Sequence, residues 1–98
     1  NQKRDFINVV DVCVAIIKAV KYKKSDTFNI GTGFTTSIKD LAKIIVQENK
    51  SGKIIKAKNT QFDALFSCAN MYKTNSKLKF KSKINIKTGI KELINNEI

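Results

Sequence analysis

Two segments constrain the fold of this chain more than any other feature: RDFINVVD at residues 4–11 and FNIGTGFTTS at residues 28–37. The residues between them place apolar side chains at three- and four-residue steps, the spacing of one helix face, at Val12, Ala15, Ile16, Ala19 and Val20. We therefore predict a strand at 5–9, a helix that Asp11 caps, a second strand at 27–30 and a turn at 31–36.

The remaining sequence predicts three further helices. Ser37 and Asp40 have the spacing of a capping box, before a helix that carries four apolar residues on one face: Ile38, Leu41, Ala42 and Ile45. Ser51 and Gly52 end that helix, residues 53–57 read as a strand, 58–64 as a polar loop and 66–69 as extended. Asn70 is placed to cap a short helix that ends at Leu78, and Asn85 to cap a last one with Ile86, Ile90, Leu93 and Ile94 inward. The predicted fold class is α+β (mixed α/β), with three to four short strands and about four helices.

Composition supports one small domain. A chain of 98 residues, 42% of them hydrophobic, can build a single core, although domains of this size are marginally stable. No apolar stretch approaches the roughly 18 residues that span a bilayer, so we expect no membrane partner. The two cysteines lack a CxxC partner and the chain has no His, which argues against a disulfide framework or a metal site. We predict that Cys13 and Cys68 are buried as small apolar residues, which is compatible with the cytoplasm, where we expect the protein.

The net charge of +11 raises nucleic acid as a partner, since clustered cations that displace phosphate counterions drive such binding. The positive residues are almost all Lys, are spread from Lys3 to Lys91 and are not interleaved with base-stacking aromatics. A compositional bias towards Lys, Asn and Ile explains the charge without a ligand, and we favour that interpretation over a small basic nucleic-acid-binding module.

The order of these motifs resembles the C-terminal part of the extended short-chain dehydrogenase/reductases, the NAD-dependent epimerases and dehydratases of nucleotide sugars. Members of that family commonly run RDFIYVDDV, an apolar helix, a strand and turn of the form FNIGTG, and a Ser or Thr that opens a second helix. The closing stretch SCANMYKTNSKLKFKSKINIKTGIKELI is similar to the family's last segment, so the resemblance covers nearly the whole chain. The family's dinucleotide fingerprint and catalytic YxxxK lie upstream of these motifs, and neither occurs here. We interpret residues 1–98 as a single domain, a C-terminal fragment of a longer NAD(P)-dependent epimerase or dehydratase.

The resemblance implies four substrate-binding residues. Arg4, the only Arg, would contact the substrate diphosphate, to which its planar fork can donate two parallel hydrogen bonds; the alternative is a surface ion pair with Asp5 or Asp11. Phe6 would pack beside the nucleotide, or face inward from a strand. Ile38 would lie near the base, and Asp63 would accept hydrogen bonds from the ribose, or be an exposed loop residue. The family often has an Arg where this chain has Thr60, and Tyr or His where it has Asn8.

The resemblance also implies different roles for this chain and for the rest of the parent protein. An N-terminal Rossmann domain of the same protein would bind NAD or NADP and carry hydride transfer, while these residues bind the nucleotide sugar, hold no cofactor and include no catalytic residue. The turn GTGFTT does not complete a dinucleotide fingerprint, because Thr36 stands at the third Gly position. We expect no turnover by the fragment alone, a role of the parent in polysaccharide biosynthesis, and allow for a homodimer of the full-length protein. The remaining alternative is a non-catalytic interaction domain in which the resemblance is a relic.

Overall fold

The computed structural model describes residues 2–57 and 65–96. Within these ranges the elements are, in chain order, β1 (Lys3–Arg4), α1 (Val9–Lys21), β2 (Thr36–Ser37), α2 (Ile38–Asn49), α3 (Tyr72–Leu78) and α4 (Ile86–Asn95). The predicted set of about four helices is confirmed. Three to four strands were too many, because the described residues contain one sheet of two strands.

β1 and β2 pair in antiparallel register, Lys3 opposite Ser37 and Arg4 opposite Thr36. On its other side Lys3 forms a parallel bridge with Phe66, so residue 66, predicted to be extended, reaches the sheet. The predicted strand at 5–9 is wrong: β1 ends at Arg4, and the helix begins at Val9. The reason is that β2 begins only at Thr36, so a turn and not a strand lies opposite Asp5.

The strands predicted at 27–30 and 53–57 are also absent, since neither segment pairs with another described segment. A strand exists only where a neighbour satisfies its backbone groups. Phe28 and Ile30 pack beside the core instead, and the Asn29 carbonyl accepts a hydrogen bond of 2.6 Å from the Thr74 hydroxyl. The predicted strand at 27–30 is therefore an extended segment that packs on the core without a ladder.

The cap of α1 is Asn8, whose side-chain oxygen accepts a hydrogen bond of 2.8 Å from the Val10 amide. The prediction that Asp11 caps this helix is therefore wrong. Asp11 lies in the first turn, is buried, and its carboxylate accepts hydrogen bonds from the amides of Lys83 (3.2 Å) and Ile84 (3.0 Å). The acidic residue thus joins the first turn of α1 to the segment that leads into α4.

Two of the other three predicted caps are confirmed, and the prediction that Asn70 is the cap residue of α3 is wrong. Ser37 caps α2 and accepts from the Asp40 amide at 3.0 Å, and Asn85 caps α4 and accepts from the Thr88 amide at 2.8 Å, both as predicted. α2 ends at Asn49, with Lys50 left-handed, just before the predicted break. The cap residue of α3 is Met71, although the Asn70 side chain accepts a hydrogen bond from the Tyr72 amide.

The buried apolar core is small: Ala15, Met71, Leu78 and Phe80. α1 packs against α3, and α2 against α4. Of the five apolar α1 residues whose spacing predicted the helix, only Ala15 is buried, and Val20 is 77% exposed. The predicted burial of the cysteines is wrong for Cys13, which is exposed, while Cys68 is half-buried. None of the helices within 2–57 and 65–96 has the length and apolarity that crossing a bilayer requires.

Candidate functional site

Arg4 lies at an open cavity of about 500 Å³. Three segments meet there: the end of β1, the extended chain before residues 31–33, which we call the GTG turn, and the chain that leads into α3. The lining residues are Arg4, Asp5, Asn29, Ile30, Gly31, Ser67, Cys68, Ala69 and Asn70. A cavity of this volume is within the usual range for small-molecule sites.

Arg4 is half-buried, and its Nη1 donates a hydrogen bond of 2.9 Å to the Lys3 carbonyl. Among residues 2–57 and 65–96 the single ion pair joins Lys73 to Asp26, so Arg4 pairs with neither Asp5 nor Asp11. The alternative that Arg4 is a surface ion-pair residue of those two carboxylates is therefore wrong. A guanidinium has five N–H donors, and the bond to the Lys3 carbonyl is the one side-chain hydrogen bond of Arg4 to another described residue.

The Asp5 carboxylate connects the three cavity walls. It accepts hydrogen bonds from the amide and hydroxyl of Thr32, from the Gly33 amide at 2.9 Å, and from the Ala69 amide at 3.3 Å. Partial burial raises the pKa of this carboxyl, but the hydrogen bonds from Thr32, Gly33 and Ala69 together outweigh it, so the pKa lies below the usual 3.8. Asp5 is thus a charged acceptor that fixes the backbone around Arg4.

Three consecutive amides at the GTG turn are used internally and do not face a ligand. The amides of Thr32 and Gly33 donate to Asp5, and the Phe34 amide donates to the Thr32 hydroxyl at 3.0 Å. Gly31 is needed for close approach, since a Cβ there would lie 2.6 Å from Asp5 Oδ2 and 2.7 Å from the Ala69 Cβ. This turn therefore does not fit the pyrophosphate of a dinucleotide cofactor, in agreement with its incomplete fingerprint.

The other predicted site residues lie apart from the Arg4 cavity. Phe6 is half-buried between two further cavities of about 310 and 220 Å³, where Ile84 and Ile86 also line the walls. Ile38 begins α2, is 42% exposed, and its amide donates to the Gln2 carbonyl at 2.9 Å, which places it beside the sheet that carries Arg4. Asp63 and Thr60 lie outside the described residues. Arg4 thus lies in the two-stranded sheet and Ile38 directly after its second strand, whereas Phe6 lines cavities other than the Arg4 cavity.

Sequence reasoning missed Asn29 and Ser67, which line the Arg4 cavity, and the role of Asp5. Asp5 carried a signal, because a lone carboxylate within a short strand-like run must find hydrogen-bond donors. No sequence pattern pointed to Asn29 and Ser67, since only the tertiary fold brings them to Arg4. Within the described part of the chain, no three His, Cys, Asp or Glu residues are grouped as a metal site would require.

Comparison with known proteins finds matches in sequence and in fold. No family model matches the chain. A Methanocaldococcus jannaschii protein provisionally named UDP-glucose 4-epimerase is 36% identical over 96 residues, which are 97% of this chain and 31% of that protein. The structure of a Thermotoga maritima UDP-glucose 4-epimerase with UDP-glucose superposes with a TM-score of 0.89 at 25% identity, over 96% of this chain and 31% of that one. The chain matches the C-terminal part of the extended short-chain dehydrogenase/reductases.

The resemblance in the sequence motifs is thus confirmed, and the likeness in fold extends to a further solved structure. A Bifidobacterium longum UDP-glucose 4-epimerase, solved with NAD⁺ and UDP, superposes with a TM-score of 0.85 at 20% identity, over 97% of this chain and 30% of that one. The chain spans about a third of the length of each of these relatives.

Proposed function

We propose that this chain is the substrate-binding portion of a nucleotide-sugar epimerase or dehydratase and binds the nucleoside diphosphate of the substrate. The observation that carries the proposal is Arg4: a half-buried arginine at a cavity of about 500 Å³, without a carboxylate partner in the described residues. A diphosphate presents oxygens in the geometry that a guanidinium fork matches with two parallel hydrogen bonds. The names of the relatives, which contain UDP or UDP-glucose, support the same ligand class.

The polar residues around Arg4 suit the rest of such a ligand. Asn29, Ser67 and Asn70 line the cavity with side chains that can both donate to and accept from hydroxyl groups. The Asn29 Nδ2 already donates to the Asn70 carbonyl at 3.3 Å, which leaves the Asn29 side-chain oxygen as an acceptor. In this proposal Asp63 contacts the ribose, Ile38 lies near the base and Phe6 beside the nucleotide.

In this mechanism the cavity residues bind and orient the nucleotide sugar, and Asp5 holds the backbone around the cavity in place. By holding the GTG turn and Ala69 against the end of β1, its carboxylate fixes the distance between Arg4 and the opposite cavity wall. Anchoring the diphosphate limits the positions that the attached sugar can take, and such positioning supplies a large share of enzymatic rate enhancement.

The cofactor in this proposal belongs to another part of the parent protein. The described residues do not fit a dinucleotide, because the GTG turn uses its amides internally. An N-terminal Rossmann domain of the same protein holds NAD or NADP, which supplies the hydride acceptor, as the NAD⁺ in the Bifidobacterium structure suggests. The proposal also includes a cytoplasmic parent enzyme in polysaccharide biosynthesis.

Calorimetric titration of the parent protein with UDP, CDP, GDP and dTDP at moderate salt tests the proposal. We expect saturable binding of one diphosphate, weakened roughly 10- to 100-fold by Arg4→Ala, because hydrogen bonds to charged groups contribute about 1.5–3 kcal/mol. Arg4→Lys keeps the charge but loses the fork and should recover only part of the affinity. The matched control is Lys81→Ala, which removes an exposed positive charge elsewhere.

Two results would contradict the proposal. Equal losses in Arg4→Ala and Lys81→Ala would show that only net charge matters. Binding of a short DNA duplex alone, with an affinity that falls steeply as salt rises, would favour the basic nucleic-acid-binding module.

A further inference from the structure

The fold gathers many of the lysines around α3 and the end of α1, although they are spread along the sequence. α1 packs against α3, and the Lys18 ammonium donates a hydrogen bond of 3.1 Å to the Lys79 carbonyl. Residues 12–28 and 66–83 together contain nine Lys and a single acidic residue, Asp26. Composition explains how many lysines the chain has, but not why two segments almost free of acidic residues lie against each other.

The loop after α1 belongs to the same surface. Lys73 forms an ion pair with Asp26 and donates to the Thr27 carbonyl at 2.9 Å, which holds α3 against this loop. The pKa of Asp26 is lowered first by the hydrogen bond from Lys73 and, among smaller causes, by the charge of Lys77, so Lys77 also lies nearby. We call the following seven residues the basic patch: Lys18, Lys21, Lys23, Lys24, Lys73, Lys77 and Lys79.

The basic patch is open and separate from the proposed diphosphate site. Six of its seven residues are exposed, and only Lys18 is half-buried. None of the seven lines the Arg4 cavity or either of the two cavities at Phe6. An open surface with charges of one sign attracts an extended ligand of the opposite sign.

The aromatic residues in and beside the patch distinguish two kinds of extended anion. Tyr22 and Phe28 pack edge to face with ring centroids 5.3 Å apart, and Lys73 Nζ lies 5.1 Å from the Phe28 centroid, so these rings are occupied by one another and by Lys73. Proteins that bind single-stranded nucleic acid use aromatic faces on which bases stack. Tyr72 instead is 82% exposed next to Lys73. Exposed Tyr is enriched where a protein meets the headgroups of a bilayer.

We propose that the basic patch attaches the parent protein reversibly to an anionic membrane surface, with Tyr72 at the level of the headgroups. The lysine ammonium is a point charge without the planar fork by which Arg recognises phosphates and base edges, and it suits diffuse attraction to many headgroups. Each Lys near an anionic bilayer strengthens binding about fivefold. The absence of a spanning segment, on which the expectation of no membrane partner rested, does not exclude attachment from one side. The proposal goes beyond the proposed function, because it involves neither a nucleotide nor Arg4.

Flotation of the full-length parent with lipid vesicles tests the proposal. Vesicles of phosphatidylcholine mixed with phosphatidylglycerol are compared with vesicles of phosphatidylcholine alone, over a range of salt concentrations. We expect binding to the anionic vesicles only, weakening steeply as salt rises, because salt screens exposed charges. Failure to bind the anionic vesicles at low salt, or equal binding to both kinds of vesicle, would overturn the proposal.

Substitutions within the patch locate the binding surface. A triple variant removes three exposed charges and should weaken vesicle binding roughly 100-fold: Lys23→Gln, Lys24→Gln and Lys77→Gln. Arg at the same three positions keeps the charge and should retain binding. If the Gln variant does not fold, Lys23→Glu alone replaces it and should weaken binding at least about tenfold.

A control variant removes the same charge from exposed residues at and after the end of α2: Lys50→Gln, Lys53→Gln and Lys56→Gln. It should weaken vesicle binding by less than about fivefold, because these charges lie outside the patch and salt screens their longer-range attraction. Equal losses in the two triple variants would show that only net charge matters and would overturn the proposal. Binding of a short DNA duplex through the patch lysines, without binding to the anionic vesicles, would overturn it in favour of a nucleic-acid surface.

Discussion

Asp5 and Thr32 are joined by both the backbone and the side chain of Thr32. Asp5 Oδ1 accepts from the Thr32 amide at 2.9 Å and from the Thr32 hydroxyl at 2.5 Å, and the same hydroxyl accepts from the Phe34 amide. One carboxylate thereby organises a turn far away in the sequence. Since Asp5 follows Arg4 directly, the shape of this turn and the position of the proposed phosphate-binding residue are linked.

We predict that Asp5→Asn lowers the free energy of unfolding by about 1–3 kcal/mol, since a neutral amide is a weaker acceptor and its NH₂ group opposes the amide donors around it. Urea denaturation measures the change. The control Glu92→Gln removes an exposed carboxylate on α4 and should change stability by less than about 0.5 kcal/mol. Equal losses in the two variants would show that the turn does not depend on Asp5.

We predict that stability declines at acidic pH through two carboxyls. The pKa of Asp5 lies below 3.8 for the reasons given above, and the pKa of Asp26 is lowered by its hydrogen bond from Lys73 and then by that from the Thr27 amide. A carboxyl whose native pKa is depressed stabilises the fold fully above its unfolded pKa, and this stabilisation is lost as the pH falls from 3.8 through the lower native value. Unfolding measured from pH 6 to 2 should show this decline, with a shallower slope in Asp5→Asn than in the wild-type chain.

The two polar residues at the start of α1 should behave differently. Asn8→Ala removes the helix cap and should cost about 1 kcal/mol of stability. Asp11→Asn should instead speed hydrogen exchange of the Lys83 and Ile84 amides, because these are the donors to its carboxylate. NMR exchange rates for those two amides test the assignment, and faster exchange in Asn8→Ala than in Asp11→Asn would contradict it.

Gly31→Ala should be markedly destabilising, by about 1–3 kcal/mol, because the new Cβ would meet Asp5 Oδ2 at 2.6 Å and the Ala69 Cβ at 2.7 Å. The same substitution at Gly89 is the control. There the nearest atom is the Asn8 side-chain nitrogen at 3.1 Å, and Ala is favoured over Gly in a helix by about 1 kcal/mol. Thermal unfolding should therefore give Gly31→Ala a Tm well below that of Gly89→Ala.

Predictions from the sequence succeeded where the deciding contacts are local. The caps at Ser37 and Asn85 depend on a donor three residues away, so the residue types in one helical turn are enough to predict them. The strands at 27–30 and 53–57 failed because a strand requires a neighbour, and none of the described segments provides one. The periodicity of α1 correctly predicted a helix, but it could not show which side faces the core.

The sequence by itself determined the number and approximate positions of the helices, two of their four caps, and the order of motifs that resembles the extended short-chain dehydrogenase/reductases. Only the tertiary structure decided that Asp11 holds the segment before α4, that Asp5 connects three cavity walls around Arg4, and that α1 turns its apolar face outward. The physical reason is the distance along the chain over which each interaction acts. Propensities and caps act within one turn of the chain, whereas a buried carboxylate or an apolar face takes its role from groups that only folding brings near.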